Sequence, residues 1–280
     1  MTCFLRAVGF VLSVLTSDPC QTAVSGVADA YPYDGIPRPD IDPIELYAAG
    51  IDTSDYVARV APLVRRALPD IGDLLDIGAG GGQLGNALRD LQRRWTTVEP
   101  SQNMCVRLAR FANAPKLIAS GWETAVIRNG DHDTVLGANI PAPLQQSGEF
   151  LARCRTWSRR NVVWVVPAQA GPRGLCLAGC LPATWHGEDE TPGVDIVLRA
   201  LPKALHPHSV ECAGWTFSAV VPDIDWIATY LADRLGWAAD DVRRAQLAAH
   251  LAMQAKPDPK GHRLNVFRKS AVLVLSLIHI

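Results

Sequence analysis

The chain has 280 residues, with 27 Lys plus Arg against 28 Asp plus Glu and a net charge of −1 at pH 7. At 48% hydrophobic and 20% charged it has an ordinary globular composition, enough for one large domain with accessory segments or two domains at most. Such a balance gives no global attraction to nucleic acid or to an anionic membrane surface, and no apolar run reaches the roughly 20 residues that span a bilayer. The seven cysteines (3, 20, 105, 154, 176, 180 and 212) are scattered, odd in number and contain no CxxC pair. They suggest neither a disulfide framework nor a metal site, and a reducing compartment is the simpler expectation.

In chain order, residues 1–30 combine Arg6, an apolar run over 7–16 and small residues near 27–30, a pattern superficially like a secretory signal. Residues 31–43 are loop-like, punctuated by Pro32, Gly35, Pro37, Pro39 and Pro43. Helical patterning covers 44–68, with Ser54 or Asp55 as N-cap of a second helix and Pro69 and Gly72 ending it. The next segments alternate: strand 73–77, helix 84–91, strand 95–98, helix 104–111, strands 116–119 and 134–136, helix 149–157, strand 162–166. Strands and helices joined by short links predict a parallel sheet covered on both faces, hence a doubly wound α/β fold. After Pro167 the alternation breaks. Residues 168–193 are rich in Gly, Pro and acids, followed by a helix near 194–205, a strand over 210–221, helices over 225–235 and 240–253, and a strand over 264–274.

The decisive stretch, Leu74 to Gly85, reads LLDIGAGGGQLG: a buried strand runs into a glycine-dense turn and then a helix. Glycine lets backbone approach a ligand closely, and the following helix aims free N–H groups at it. Glu99 ends the next strand, 19 residues after Gly80, where an acid accepts hydrogen bonds from both ribose hydroxyls of an adenosine cofactor. Two registers compete. The spacing Gly80-x-Gly82-x-x-Gly85 fits a dinucleotide fingerprint, whereas Asp76-x-Gly78-x-Gly80-x-Gly82 resembles the first motif of class I S-adenosylmethionine-dependent methyltransferases. Gly80 comes too late after the strand for a dinucleotide site, and Asp76 stands inside the strand where a nicotinamide enzyme carries an apolar residue. A purely structural glycine turn is the third alternative.

The resemblance covers about residues 73–167. It implies a mostly parallel, seven-stranded-type Rossmann-like sheet with S-adenosylmethionine as cofactor. The implied cofactor residues are Asp76, Gly78, Ala79, Gly80 and Gly82 in the first motif, Glu99 and Pro100 after the second strand, Trp122 and Glu123 near the adenine, and Asn139 after the fourth strand. At that last loop the chain reads Asn139-Ile-Pro141-Ala142, without the second proline and aromatic found in methyltransferases acting on base or glutamine amino groups. Trp185 to Pro192 is the most polar cluster outside the motif. His186 is its candidate general base, with an unperturbed pKa suited to the task, while Glu188, Asp189 and Glu190 are read as a solvated run.

The implied organisation is a single domain over 31–274. It consists of N-terminal helices, a core over 73–167, a lid or acceptor insertion over 168–209 after the fifth strand, and a C-terminal part over 210–274. Since the implied cofactor is intracellular, the leader over 1–30 is read as a misassigned start and the protein as cytoplasmic. Residues 275–280 resemble a translated sequencing adapter. The leading function is methylation of a small molecule, with no membrane partner and nucleic acid not favoured. The alternatives are RNA or protein methylation, and a catalytically silent cofactor-binding module.

Overall fold

A computed structural model describes residues 43–140, 142–172 and 176–277; the leader over 1–30 and residues 278–280 lie outside the described residues. The first half comprises α1 (Pro43–Asp52), α2 (Tyr56–Ala67), β1 (Leu74–Ile77), α3 (Gln83–Leu88), β2 (Trp95–Val98), α4 (Gln102–Leu108), β3 (Lys116–Ile118), β4 (His132–Ala138), α5 (Ser147–Trp157) and β5 (Ser158–Pro167). The second half comprises α6 (Ala183–His186), α7 (Gly193–Ala200), β6 (Ser209–Val221), α8 (Ile224–Arg234), α9 (Arg243–Gln254), β7 (Lys256–Asp258) and β8 (Gly261–Ser276).

The strands form one sheet in the order β3-β2-β1-β4-β5-β8-β6. β1 to β5 run parallel, and β8 is antiparallel to both β5 and β6. Strands β1 and β2 are buried throughout, as expected for parallel strands covered on both sides. Successive side chains of β1 point to opposite faces. Leu74 joins a core with Val60, Leu88, Leu231 and Leu247 from the helices of one face, whereas Leu75 and Ile77 join Trp122, Phe150 and Val197 on the other. Asp76 is one of the few polar interruptions of this core, and period two puts it on the Leu74 side, beneath α3.

The sheet has eight strands rather than the seven-stranded type expected, because the short β7 folds back on the start of β8. The sequence hid this hairpin: Pro257 and Pro259 argue for a loop, and the turn depends on Asp258 accepting from the Lys260 N–H and on Gly261 at φ 130°. β8 extends beyond the predicted 264–274. Leu275 and Ser276, the start of the adapter-like tail, lie in its ladder opposite Val162 and Asn161.

The N-terminal helices join the core on the Leu74 face and also dock on β6. In the interior of α1, Gly50 lets the helix approach closely; a Cβ there would lie 2.1 Å from Cζ of Phe217 on β6. Tyr47 stacks on the same phenyl ring, with centroids 6.0 Å apart, and Tyr56 packs at 4.8 Å on Trp215. Asp55 anchors the start of α2, accepting from the Thr216 N–H of β6 at 2.7 Å and pairing with Arg59 at 3.0 Å. Beyond β5, α7 buries Val197 in the Phe150 core, as does Leu201 just after it.

Candidate functional site

At the C-terminal end of β1 the chain turns through Gly78, Gly80 and Gly82, with φ of 59°, 53° and 77°. A side chain is strained at such angles, which is why the turn needs glycine. The Gly78 N–H donates to Val98 O at 2.8 Å, and the Gly82 N–H to Ala79 O at 2.9 Å, closing the bend. Gly82 then N-caps α3. The bend and the end of β2 are joined through Glu99. Its Oε2 accepts from the Gly80 N–H at 2.7 Å and its Oε1 from the Ser101 N–H at 2.9 Å. These bonds fix the buried side chain in place at the rim of the turn.

These residues line a cavity of about 290 Å³. Of the expected cofactor residues, Asp76, Gly78, Ala79, Gly80, Glu99, Pro100, Trp122, Glu123 and Asn139 all border it. Gly82 does not; its role is in the turn, where a Cβ would meet Leu108 at 2.5 Å. At Gly80, by contrast, a Cβ would meet nothing within 4 Å and would project into open space. Trp122 forms one wall, held edge-on against Phe150 at 5.2 Å. Asn139 is the one described non-glycine residue at positive φ, 54°. That backbone is secured by its N–H donating to Val165 O at 2.9 Å, and its Nδ2 donates to the Tyr47 hydroxyl at 3.2 Å.

Asp76 is 3% exposed, and burial pushes its carboxyl up to about 8. The neighbouring Glu99 charge adds to the shift, and the Trp95 indole N–H works in the other direction. Three acids, Asp76, Glu99 and Glu123, border the cavity, and its described lining contains no Lys, Arg or His. The electrostatics therefore favour a ligand that carries positive charge and disfavour a phosphate or pyrophosphate.

Ile44, Tyr47 and Ile51 of α1 and Tyr56 of α2 supply a wall that the sequence reasoning did not assign to the site. Gln83 ties this wall to the glycine turn, donating to Ala48 O at 3.0 Å and to Asp52 at 2.9 Å. The available signal was Gly50, since a glycine inside a helical pattern points to close packing. No described residue of the expected 168–209 lid borders the cavity.

His186 is not brought to this site. Its side chain is 1% exposed at the end of α6, with Nδ1 accepting from the Glu188 N–H at 3.1 Å and Nε2 lying 3.4 Å from Glu190. The polar run around it is a local knot that satisfies a buried ring. Among the described residues, no group of three or more His, Cys, Asp or Glu is placed to hold a metal ion, and no helix is long and apolar enough to cross a membrane.

No family model matches the sequence, and no curated protein matches it significantly. Solved structures do. A protein assigned as a type II methyltransferase from Anaeromyxobacter dehalogenans is 18% identical and superposes with a TM-score of 0.50, over 78% of this chain and 96% of that one. A protein assigned as a methyltransferase from Bacillus halodurans is 10% identical with a TM-score of 0.46, over 77% of this chain and 97% of that one. The geranyl diphosphate C-methyltransferase of Streptomyces coelicolor, solved with S-adenosyl-L-homocysteine, is 13% identical with a TM-score of 0.43, over 78% of each chain. Strand order, the antiparallel β8 between β5 and β6 and the first of these likenesses define the fold as that of class I S-adenosylmethionine-dependent methyltransferases.

Proposed function

We propose that this protein is an S-adenosylmethionine-dependent methyltransferase acting on a small molecule. The observation that carries the proposal is the charge of the cavity. It is bordered by three acidic residues, Asp76, Glu99 and Glu123, and no cationic side chain among the described lining, at the place where the glycine turn meets Glu99. A sulfonium with an ammonium group suits that field, and a nicotinamide dinucleotide with its pyrophosphate does not.

In this arrangement Glu99 takes the ribose hydroxyls, Trp122 and Glu123 flank the adenine, and Asp76 with the Gly78–Gly80 backbone holds the methionine portion. The group supplies an electrophilic methyl when bound. The chain supplies position: an in-line displacement draws much of its rate from holding two reactants in line. The apolar side chains of Ile44, Ile51 and Ile140 that border the cavity favour an acceptor with a largely apolar body. Net charge and an acidic lining argue against RNA as acceptor. The described cysteines 105, 154, 180 and 212 are free thiols, which supports work in the cytoplasm.

Calorimetry with S-adenosylmethionine, S-adenosylhomocysteine and NAD tests the cofactor assignment; binding of NAD alone overturns it. Incubating the protein with methyl-labelled cofactor and a host extract, followed by mass spectrometry, tests catalysis. Release of S-adenosylhomocysteine with a labelled small molecule is expected. Binding without turnover in any extract would make the protein a silent cofactor-binding module.

A further inference from the structure

β6 ends the sheet, and among the described residues only β8 is laddered to it. Alternate residues of an antiparallel strand turn their N–H and C=O groups to opposite sides, so every second residue of β6 addresses the open edge. Part of that edge is covered. The Thr216 N–H donates to Asp55 at 2.7 Å, and the Ser218 carbonyl accepts from the Thr53 hydroxyl. The same phase puts the N–H and C=O of Val210, Cys212 and Gly214 on the edge, where they have no partner among the described residues. Proteins commonly blunt such an edge with proline or lysine. Residues 209–214, SVECAG, contain neither.

We propose that this edge is a dimer interface, filled by β6 of a second copy of the chain running antiparallel across a twofold axis. The covered part fixes the register. Centred on Cys212, the pairing sets Val210 against the partner's Gly214 and Cys212 against the partner's Cys212, so all three open residues exchange both of their bonds. A shift toward Gly214 runs into the covered Thr216. A shift toward Val210 leaves Gly214 facing the partner's His208, whose N–H is already given to Val274 O. Side chains agree with the central register. Phe267 shares a sheet face with Val210, and its ring lies across Gly214, with Cζ 2.8 Å from where a Cβ there would sit. The partner's Val210 would stand beside that glycine, so the twofold packs Val210 of each copy, 44% exposed, on Phe267 of the other, 69% exposed. Charge agrees as well: Glu211, the one acid of the stretch, is matched by Arg66 of its own copy at 2.8 Å, and no bare like charges meet. The paired area falls short of the roughly 1,000 Å² of a stable interface, so the dimer should be half formed at about 100 μM.

The test is sedimentation velocity of the full chain under reducing conditions, which should show monomer at about 1 μM giving way to dimer near 100 μM. Val210→Lys puts a charge at an exposed edge position and should raise the midpoint about tenfold. Cys212→Pro should do the same, because it removes an N–H that faces the edge and none that bonds to β8. If the proline variant does not fold, the lysine variant decides. A second reading uses the exposed, free Cys212 thiol. In a hydrogen-bonded antiparallel pair the Cα atoms lie about 5.5 Å apart, within the span of a disulfide. Diamide, which takes up the two thiol hydrogens, should therefore join Cys212 to the partner's Cys212, seen by mass spectrometry as one linked peptide. The same link should form about tenfold more slowly in Val210→Lys, whose thiol is equally exposed but whose edge no longer pairs. Three results would each overturn the proposal: a monomer up to about 1 mM, a dimer indifferent to both substitutions, or a Cys212 link that forms as fast in the lysine variant.

Discussion

The carboxylate of Asp76 rests on the backbone of Gly85, so closely that a Cβ at position 85 would lie 2.0 Å from Oδ2. The two residues come from β1 and α3, and their contact sets how far the glycine turn opens. Gly85→Ala should push Asp76 off its place or lift α3, lowering stability by about 1–3 kcal/mol as for other overpacked sites. Affinity for S-adenosylhomocysteine should fall at the same time. Thermal melts and calorimetry read both, and an alanine variant with unchanged affinity would show that the contact does not shape the pocket.

Asp76 also predicts a pH dependence. Its folded-state pKa, about 8, lies far above the value of 3.8 for a free aspartate. A raised folded value means that the group favours folding most below the unfolded pKa, and that this contribution is lost as pH rises through about 8. At neutral pH the ligand-free carboxyl is largely protonated, so a cationic ligand must displace that proton. Affinity for S-adenosylmethionine should therefore rise from pH 6 towards about 8, with protons released on binding, and fall again at higher pH as the ligand's own α-ammonium is deprotonated. Calorimetry in buffers of different ionisation enthalpy measures the release, and Asp76→Asn should abolish it.

Glu99 is held by the N–H groups of Gly80 and Ser101. Glu99→Gln keeps the shape but puts a donor where one of those N–H groups needs an acceptor. Ligand affinity should drop by about 1–3 kcal/mol, the effect of leaving buried polar groups unpaired. An unchanged dissociation constant would move the ribose site elsewhere.

Gly50 sits under the Phe217 ring. Gly50→Val should force α1 away from β6 and loosen the wall carrying Ile44, Tyr47 and Ile51, raising the dissociation constant while the parallel core stays folded. Hydrogen exchange should show the loosening in α1 before it appears in β1 or β5.

His186→Asn should lower the melting temperature, because it disturbs a buried ring bonded to the Glu188 N–H. Cofactor affinity should stay within about twofold, since a hydrogen bond this far from the cavity contributes to folding rather than to binding. A selective loss of turnover at normal stability would return His186 to the catalytic machinery.

The parallel half of the sheet was legible because its signals are local. Buried apolar runs gave β1, β2 and β5 within a few residues, and the glycine spacing with Glu99 located the turn. The remainder depends on contacts distant in sequence. Tyr47 and Tyr56 reach the cavity only because their helices dock on Phe217 and Trp215, 170 and 159 residues onward, and no periodicity within 44–68 reveals that. Gly82 resembled a ligand contact because its spacing matches the motif, but the close approach it permits is to Leu108. His186 stood out through polar neighbours, of which the Glu188 backbone N–H and the Glu190 carboxylate face its buried ring.

The placement of β8 has a consequence for how the molecule is made. Among the described residues β6 bonds to the sheet only through β8, and the helices that wall the cavity rest on β6. A ribosome delivers α1 and α2 first and β8 last among these elements, so the earliest helices wait for their seat while more than 200 residues are synthesised. The parallel strands can assemble as they emerge, but the chamber acquires its wall in one late step, when β8 slots between β5 and β6. A nascent chain stalled before residue 261 would hold the glycine turn without the enclosure that makes it useful.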